Sequence, residues 1–395
     1  MRQLMEFYDV VVVGARSAGA STAMLFARAG YRVLLLDRVR FPSDTLSTQH
    51  IHRPGLRLLK SWGLLGRLVE TGCPPVRRIS YTVRDVRLEG RVPAEEGIDA
   101  VYAPRRYVLD SLLIEAAVEA GAEFREACTV NGVLAENGRV TGVRLRTPRG
   151  APAEVRARLV VGADGMRSTM AGLFGARMER EDAPMTCAYY GYWERLPAQF
   201  EVYERPGRLI GVVGTHDELT LVAAYFPQSE FVAVRRSPAQ AYLEALRTTA
   251  PELAARADMA GRVERLRGTG SQLNFFRQAC GSGWVLVGDA GCHKDSITGT
   301  GISDAFEQSA RLVGSVGDEL HDTAALDAAL LRYETSRRQL LEPRYDMALE
   351  SAKLQVPDER MDFLRWIASD PESAEAFLSV AVSHVEAGRF SAPTP

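Results

Sequence analysis

Lysine is nearly missing from this chain. Only Lys60, Lys294 and Lys353 stand among 48 basic residues, which leaves little room for chemistry that depends on a lysine amine. A basic excess is missing too. The 48 Lys and Arg face 50 Asp and Glu, a formal charge of -2, so neither nucleic acid nor an acidic membrane surface is expected as a partner. No apolar run approaches the roughly 18 residues that mark a membrane-spanning helix. The first residues run into a strand without a small-residue cleavage site, so no signal peptide and no integral membrane segment are expected. Cysteine is sparse: Cys73, Cys128, Cys187, Cys280 and Cys292 are odd in number and never spaced Cys-x-x-Cys. That argues against a disulfide framework or zinc site and for a cytoplasmic protein. The six histidines have no metal-ligand spacing, so no metal is expected, and the Gly-x-Ser-x-Gly elbow of serine hydrolases is absent.

Core-forming material is plentiful. The 395 residues are 46% hydrophobic and 25% charged, enough for two or three packed units of an ordinary globular protein. Tyr8 to Val13 ends in a β-branched run and reads as a strand buried on both faces of a parallel sheet. Gly14 follows, then a small-residue helix from Ser17 to Ala29-Gly30, then a second strand, Tyr31 to Leu36, ending at Asp37. In this βαβ unit Gly14-Ala15-Arg16-Ser17-Ala18-Gly19 occupies the place of a Gly-x-Gly-x-x-Gly turn, with Arg16 in place of the middle glycine. The first glycine permits the tight turn and the last permits close helix packing, which brings free N–H groups toward a pyrophosphate. Asp37, 23 residues after Gly14, stands where a carboxylate accepts from ribose hydroxyls, so a dinucleotide is expected.

Further along, residues 54–71 read as an amphipathic helix broken near Gly63, and Arg106 to Ala120 as a helix closed by Gly121. Strands are expected at 123–130, 133–136 and 140–147, the last two joined by the hairpin signal Asn137-Gly138. An aromatic β-rich stretch, 185–226, precedes a helix expected over Pro238 to Met259. The end of the chain is helical, with frayed last residues.

Two more strand ends carry motifs: Val160-Val161-Gly162-Ala163-Asp164-Gly165 and Val285-Leu286-Val287-Gly288-Asp289-Ala290. With the glycine turn and the Arg106-x-x-Leu109-Asp110 helix start, this ordered set resembles the FAD-dependent monooxygenases of the p-hydroxybenzoate hydroxylase fold, over about residues 8 to 340. The resemblance implies an α/β fold: a Rossmann-type FAD-binding domain (1–75, 101–177 and 265–325), an inserted antiparallel β-sheet substrate domain (76–100 and 178–264) and C-terminal helices (326–395). It also implies non-covalent FAD held by Gly14, Ala15, Arg16, Ser17, Ala18, Gly19, Asp37, Arg38, Ser47, Arg106, Val130, Asp164, Gly288, Asp289, Gly299, Thr300, Gly301 and Ile302. The segment Ser296 to Ser303 would pass beside the flavin ring. It departs from the family pattern, with Cys292-His293 at one place and Ser296 where a proline is expected.

The resemblance further implies NADPH or NADH as reductant, or a separate flavin reductase, with O2 adding at flavin C4a. One oxygen atom would then pass to an aromatic or polyketide-like small molecule. No dedicated catalytic side chain is required, though His50 and His293 are candidates. Gln49, Tyr190, Tyr192 and Trp193 are the expected substrate contacts, with Tyr190 and Tyr192 on one face of a strand and Tyr189 and Trp193 on the other. His216, His321 and His384 read as surface residues, and Cys292 as a packed small residue. The alternatives are a geranylgeranyl-type prenyl reductase, a flavin-dependent halogenase and a non-catalytic lipid-binding escort. The halogenase lysine and Trp-x-Trp-x-Ile-Pro segment have no counterpart here, and the intact Asp37, Asp164 and Asp289 argue against the escort.

Overall fold

The computed structural model describes residues 6–270 and 272–383; His384 and the last residues lie outside them. The strand Glu6–Val13 lies parallel between Val33–Leu36 and Pro152–Gly162, with Val10, Val11 and Val12 fully buried because both faces of the sheet are covered. Glu123–Arg125 extends the sheet beyond Val33–Leu36, and Trp284–Leu286 extends it beyond Pro152–Gly162, again in parallel. The register decides where a ligand can sit. Val13 pairs with Gly162 and Gly162 with Leu286, so three distant segments end their strands side by side. The turns carrying Gly14, Asp164 and Asp289 therefore open on one carboxyl edge of the sheet, the crevice where open α/β sheets bind ligands.

The helix Ser17–Arg28 packs on Gly301–Val316 through small side chains, the Ser309 hydroxyl lying 2.9 Å from both Ser21 and Thr22. Asn137 and Gly138 join Thr129–Glu136 to Arg139–Arg146 with φ of 50° and 80°, the two left-handed residues of a tight hairpin turn.

A second sheet runs in the order Gly261–Arg262, Thr186–Glu194, Thr220–Pro227, Arg208–Gly214, Phe200–Arg205, Arg78–Val83, Val86–Arg91. It is antiparallel except where Phe200–Arg205 meets Arg78–Val83. One face, with Tyr190, Tyr192, Val213, Leu221 and Tyr225, joins the core of the first sheet. The other, with Trp193, Val222 and Phe226, is covered by the helices Pro238–Thr249 and Pro251–Ala257. The helix Pro371–Ser383 lies on the edge strand Val86–Arg91.

Local departures from the sequence reading have simple causes. The strand expected over 123–130 is split by Ala127 at φ 55°, and the helix expected over 238–259 breaks at Ala250, the residue before Pro251. Met178–Asp182 pairs with Asn274–Arg277 in a separate small sheet instead of the aromatic one.

Candidate active site

The glycine turn is as tight as its sequence demands. Gly14 has φ +104°, and a Cβ there would stand 2.4 Å from the Ala163 carbonyl oxygen. A Cβ on Gly19 would stand 1.7 Å from the Gly14 carbonyl oxygen, so only glycine lets the helix start this close to the strand end. Asp37 accepts from the Ala15 N–H at 2.7 Å and from the Val39 N–H at 2.9 Å, which fixes its carboxylate beside the turn. Its carbonyl accepts from Cys128 N–H at 2.8 Å, and that bond docks the segment leading to buried Val130. Arg38 is exposed, and the Ser17 hydroxyl is buried without a hydrogen-bond partner among the described residues.

Across the crevice, Gly288 (φ +65°) has the Ala18 methyl 2.8 Å from where its own Cβ would lie, and its N–H donates to Gln308 at 3.0 Å. Asp289 is exposed between buried Gly288 and Ala290, and its carboxylate has no hydrogen bond among the described residues. A carboxylate beside the turn, an orphaned hydroxyl, a glycine cradle and a free carboxylate on one sheet edge suit the ribose, pyrophosphate and polyol of FAD. When bound, FAD supplies the redox chemistry and the protein supplies position and electrostatics.

Arg16 and Arg106 were both expected to hold FAD. The structure binds both to Asp110, whose side chain is fully buried: Arg16 at 2.5 Å and Arg106 at 2.9 Å. Arg16 also donates to the Ser43 hydroxyl at 3.0 Å, so it braces the loop after the second strand rather than reaching outward. Asp164 accepts from the N–H groups of Thr169 and Met170, at 2.7 and 3.0 Å, and so caps the short helix Thr169–Phe174. That bonding is local to the helix cap.

Gly299 (φ +66°) turns the chain into the helix Gly301–Val316, whose Ile302 is buried. A Cβ on Gly299 would lie 3.6 Å from His52 Nε2, 3.7 Å from Thr48 Oγ1 and 3.9 Å from His50 Cβ. Thr300 donates to Asp304 at 2.7 Å, and Asp304 is bound by Arg344 at 2.6 Å and by buried Lys294. Lys294 is thus a neutralised structural ion.

The loop Asp44–His52 comes to this turn. Ser47 accepts from Gln49 N–H at 3.0 Å. Gln49 was expected to meet substrate, but its side-chain amide is engaged at both ends, by the Tyr192 hydroxyl and, at 3.1 Å, by Thr215. His50 is buried, stacks on Phe200 at 4.6 Å and meets His52 edge-on at 4.3 Å. Burial, and secondarily the neighbouring His52, pushes its imidazole well below the usual histidine range, so it is neutral near pH 7. Neither ring nitrogen of His50 has a hydrogen-bond partner among the described residues, and the buried Tyr190 hydroxyl has no side-chain partner, only the nearby Ser47 backbone.

Three further expectations are corrected. Trp193 faces the covering helices, its indole N–H donating to Tyr242 at 3.1 Å, because strand alternation sends it away from Tyr192. His293 bonds through Nδ1 to the Leu273 carbonyl and stacks on Phe275, a structural role in the small sheet. His216 is buried instead of exposed: its Nδ1 accepts from Arg105 N–H at 3.1 Å and its Nε2 meets Thr71 at 2.9 Å. Sequence reasoning also missed Arg105, which lies 3.9 Å over the Tyr192 ring and is salt-bridged at 2.9 Å to both Asp44 and Glu264. All five cysteines are free and buried, and burial pushes the Cys292 thiol up to about 12, which leaves it unreactive at neutral pH. No helix among the described residues is long and apolar enough to cross a membrane.

An open α/β sheet with three ligand-facing turns on one edge, a second sheet roofing that edge and a cradle suited to FAD together define an FAD-dependent oxidoreductase. The chain belongs to the FAD binding domain family, whose pattern matches residues 7–347. Among curated relatives it is 30% identical to digeranylgeranylglycerophospholipid reductase 1 of Methanopyrus kandleri, over 95% of this chain and 97% of that one. It is 29% identical to the 12-dehydrotetracycline 5-monooxygenase/anhydrotetracycline 6-monooxygenase of Streptomyces rimosus, over 91% of this chain and 72% of that one. Among solved structures, the myxobacterial chondrochloren halogenase superposes with a TM-score of 0.80 at 22% identity, covering 93% of this chain and 91% of that one, which is a likeness of fold.

Proposed function

We propose that the protein is an FAD-dependent monooxygenase that uses O2 and NADPH or NADH to hydroxylate or epoxidise an uncharged aromatic or polyketide-like molecule. The carrying observation is the lining of the inner sheet face. Tyr190 and Tyr192 lie there with the Gln49–Thr215 amide contact and neutral His50 close by, and the neighbouring cation Arg105 is paired with Asp44 and Glu264. Phenol rings and neutral donors suit a flat molecule with hydroxyl or carbonyl groups. They offer no countercharge for a carboxylate or phosphate deep in the site.

In this reading Asp37, the glycine turn and Asp289 hold the FAD. Tyr190 and His50 orient the substrate by hydrogen bonds, and the roof of the second sheet keeps water out. The lysines support oxygenation over halogenation. Lys60 is exposed and bound to the Glu96 carbonyl, Lys294 is tied to Asp304, and Lys353 pairs with Glu350.

A prenyl reductase is the second reading, favoured by the likeness to the Methanopyrus reductase over nearly the whole of both chains. The test is turnover of a panel of uncharged aromatic, polyketide and isoprenoid compounds under 18O2 without chloride or bromide. Label in the product supports the oxygenase, whereas oxygen-independent saturation of a double bond establishes the reductase.

A further inference from the structure

Gln49 is a fully buried, non-glycine residue with φ 62°, a left-handed conformation that such a residue keeps only when its surroundings hold it. What holds it is visible. One end of its amide meets the Tyr192 hydroxyl and the other meets the Thr215 hydroxyl, whose single proton is shared between Gln49 Oε1 at 3.1 Å and the Ala103 carbonyl at 2.6 Å. The Tyr192 ring lies under Arg105, and Arg105 grips Asp44 at the start of the same loop at 2.9 Å. The loop is therefore clamped at both ends by one Arg105–Tyr192 pair. Between and just beyond the clamps, Thr48, His50 and His52 lie alongside the Gly299 turn, 3.6 to 3.9 Å from where a Cβ on Gly299 would stand, and the His52 N–H donates to the Ser303 hydroxyl at 3.1 Å in the helix that follows.

We propose that Gln49 is a positioning residue. Through Tyr192 and Thr215 it holds Thr48 to His52 against the Gly299 turn, and so sets the shape of the flavin-ring end of the FAD site. The inference rests on the placing of that turn beside the flavin.

The experiment is titration of FAD into the apoprotein, with the visible spectrum of the bound flavin recorded for each variant. Gln49→Asn tolerates the left-handed region but is one methylene too short to bridge Tyr192 and Thr215. Gln49→Gly relieves the backbone and removes the amide. Tyr192→Phe keeps the ring under Arg105 and removes only the hydroxyl. Each is expected to weaken FAD binding about tenfold, the scale of one lost buried hydrogen bond, and to shift the flavin bands. Tyr242→Phe is the control. It deletes an equally buried hydroxyl on the opposite face of the sheet, bonded to the Val222 carbonyl at 3.0 Å, and is expected to bind FAD like the parent even where it melts lower.

Parental affinity and spectrum in both Gln49→Asn and Tyr192→Phe would overturn the proposal, as would an equal loss in Tyr242→Phe. A parent that takes up no FAD, or an Asp289→Ala variant that keeps it fully, would instead overturn the site assignment and this inference with it.

Discussion

Arg16 and Asp110 form an ion pair of 2.5 Å in which the carboxylate is fully buried and the arginine stands where a dinucleotide turn has its middle glycine. The substituted glycine thus has a structural partner on the helix Arg106–Glu119, and that partner also holds Arg106. Asp110→Ala would leave the largely buried Arg106 without its carboxylate, a change that typically costs about 3–5 kcal/mol. Arg16→Gly removes the more exposed arm and leaves the Arg106 pair, so its cost should be about 1 kcal/mol. Urea denaturation of the two variants checks the order, and equal losses would contradict it.

Asp289→Ala should release FAD, since a hydroxyl-binding carboxylate contributes roughly 1.5–3 kcal/mol. Asp37→Ala should act twice, weakening FAD binding and freeing the Ala15 N–H that the carboxylate now satisfies. Gel filtration followed by the flavin absorbance of the protein peak separates them. Asp289→Ala should come through colourless with the parental melting temperature of the apoprotein, and Asp37→Ala should melt lower even without FAD.

His50 makes stability depend on pH. Its folded pKa lies well below the ordinary histidine value of about 6.5 because burial penalises the imidazolium. Below about pH 6.5 the unfolded chain therefore binds a proton that the folded chain refuses, and stability falls as pH falls toward the folded pKa. Above about pH 6.5 both states are neutral and the effect vanishes. His216 is lowered too, chiefly by burial, so His50→Phe should flatten the acid limb only in part. Unfolding free energies of parent and variant at about pH 5 and about pH 7.5 give the answer. A parent whose stability is flat over that range would show that the imidazole is not held neutral.

How much of this was legible in the sequence follows from where each constraint resides. The Gly14–Gly19 turn and the Gly288 turn were readable because a missing Cβ where two backbones meet closely is a local requirement, written in one residue. That these two turns and the Asp164 turn belong to one edge follows from the family resemblance and from the register pairing Val13, Gly162 and Leu286. The clamp of Arg105, Tyr192, Gln49 and Thr215 was not readable. Its members come from four separate segments, and no spacing rule links an arginine before one helix to a threonine after a distant strand. His216 was misread for the same reason. Its polarity suggests the surface, and only tertiary packing supplies the Arg105 N–H and Thr71 hydroxyl that satisfy it. Alternation along Thr186–Glu194 separated Tyr190 and Tyr192 from Trp193, but which face meets the first sheet is decided by helices more than forty residues later.

That division of faces makes the sharpest prediction about substrate. The Tyr190 hydroxyl is buried, with the Ser47 backbone as its one polar neighbour and no side-chain hydrogen bond among the described residues, so Tyr190→Phe should change stability by no more than about 1 kcal/mol. If the phenol orients substrate, the same variant should raise substrate KM about tenfold and divert NAD(P)H oxidation away from product, with FAD affinity at the parental value. Trp193→Phe should behave in the opposite way. Its indole N–H serves the Tyr242 hydroxyl on the helix-covered face, so its loss should cost about 1–3 kcal/mol of stability and leave KM and coupling alone. Melting curves and the ratio of product formed to NAD(P)H consumed read both effects in the same preparations. A Trp193→Phe variant with parental stability and altered coupling would place the substrate on the wrong side of the sheet for this site, and Tyr190→Phe with parental KM and coupling would remove the phenol from the recognition of substrate.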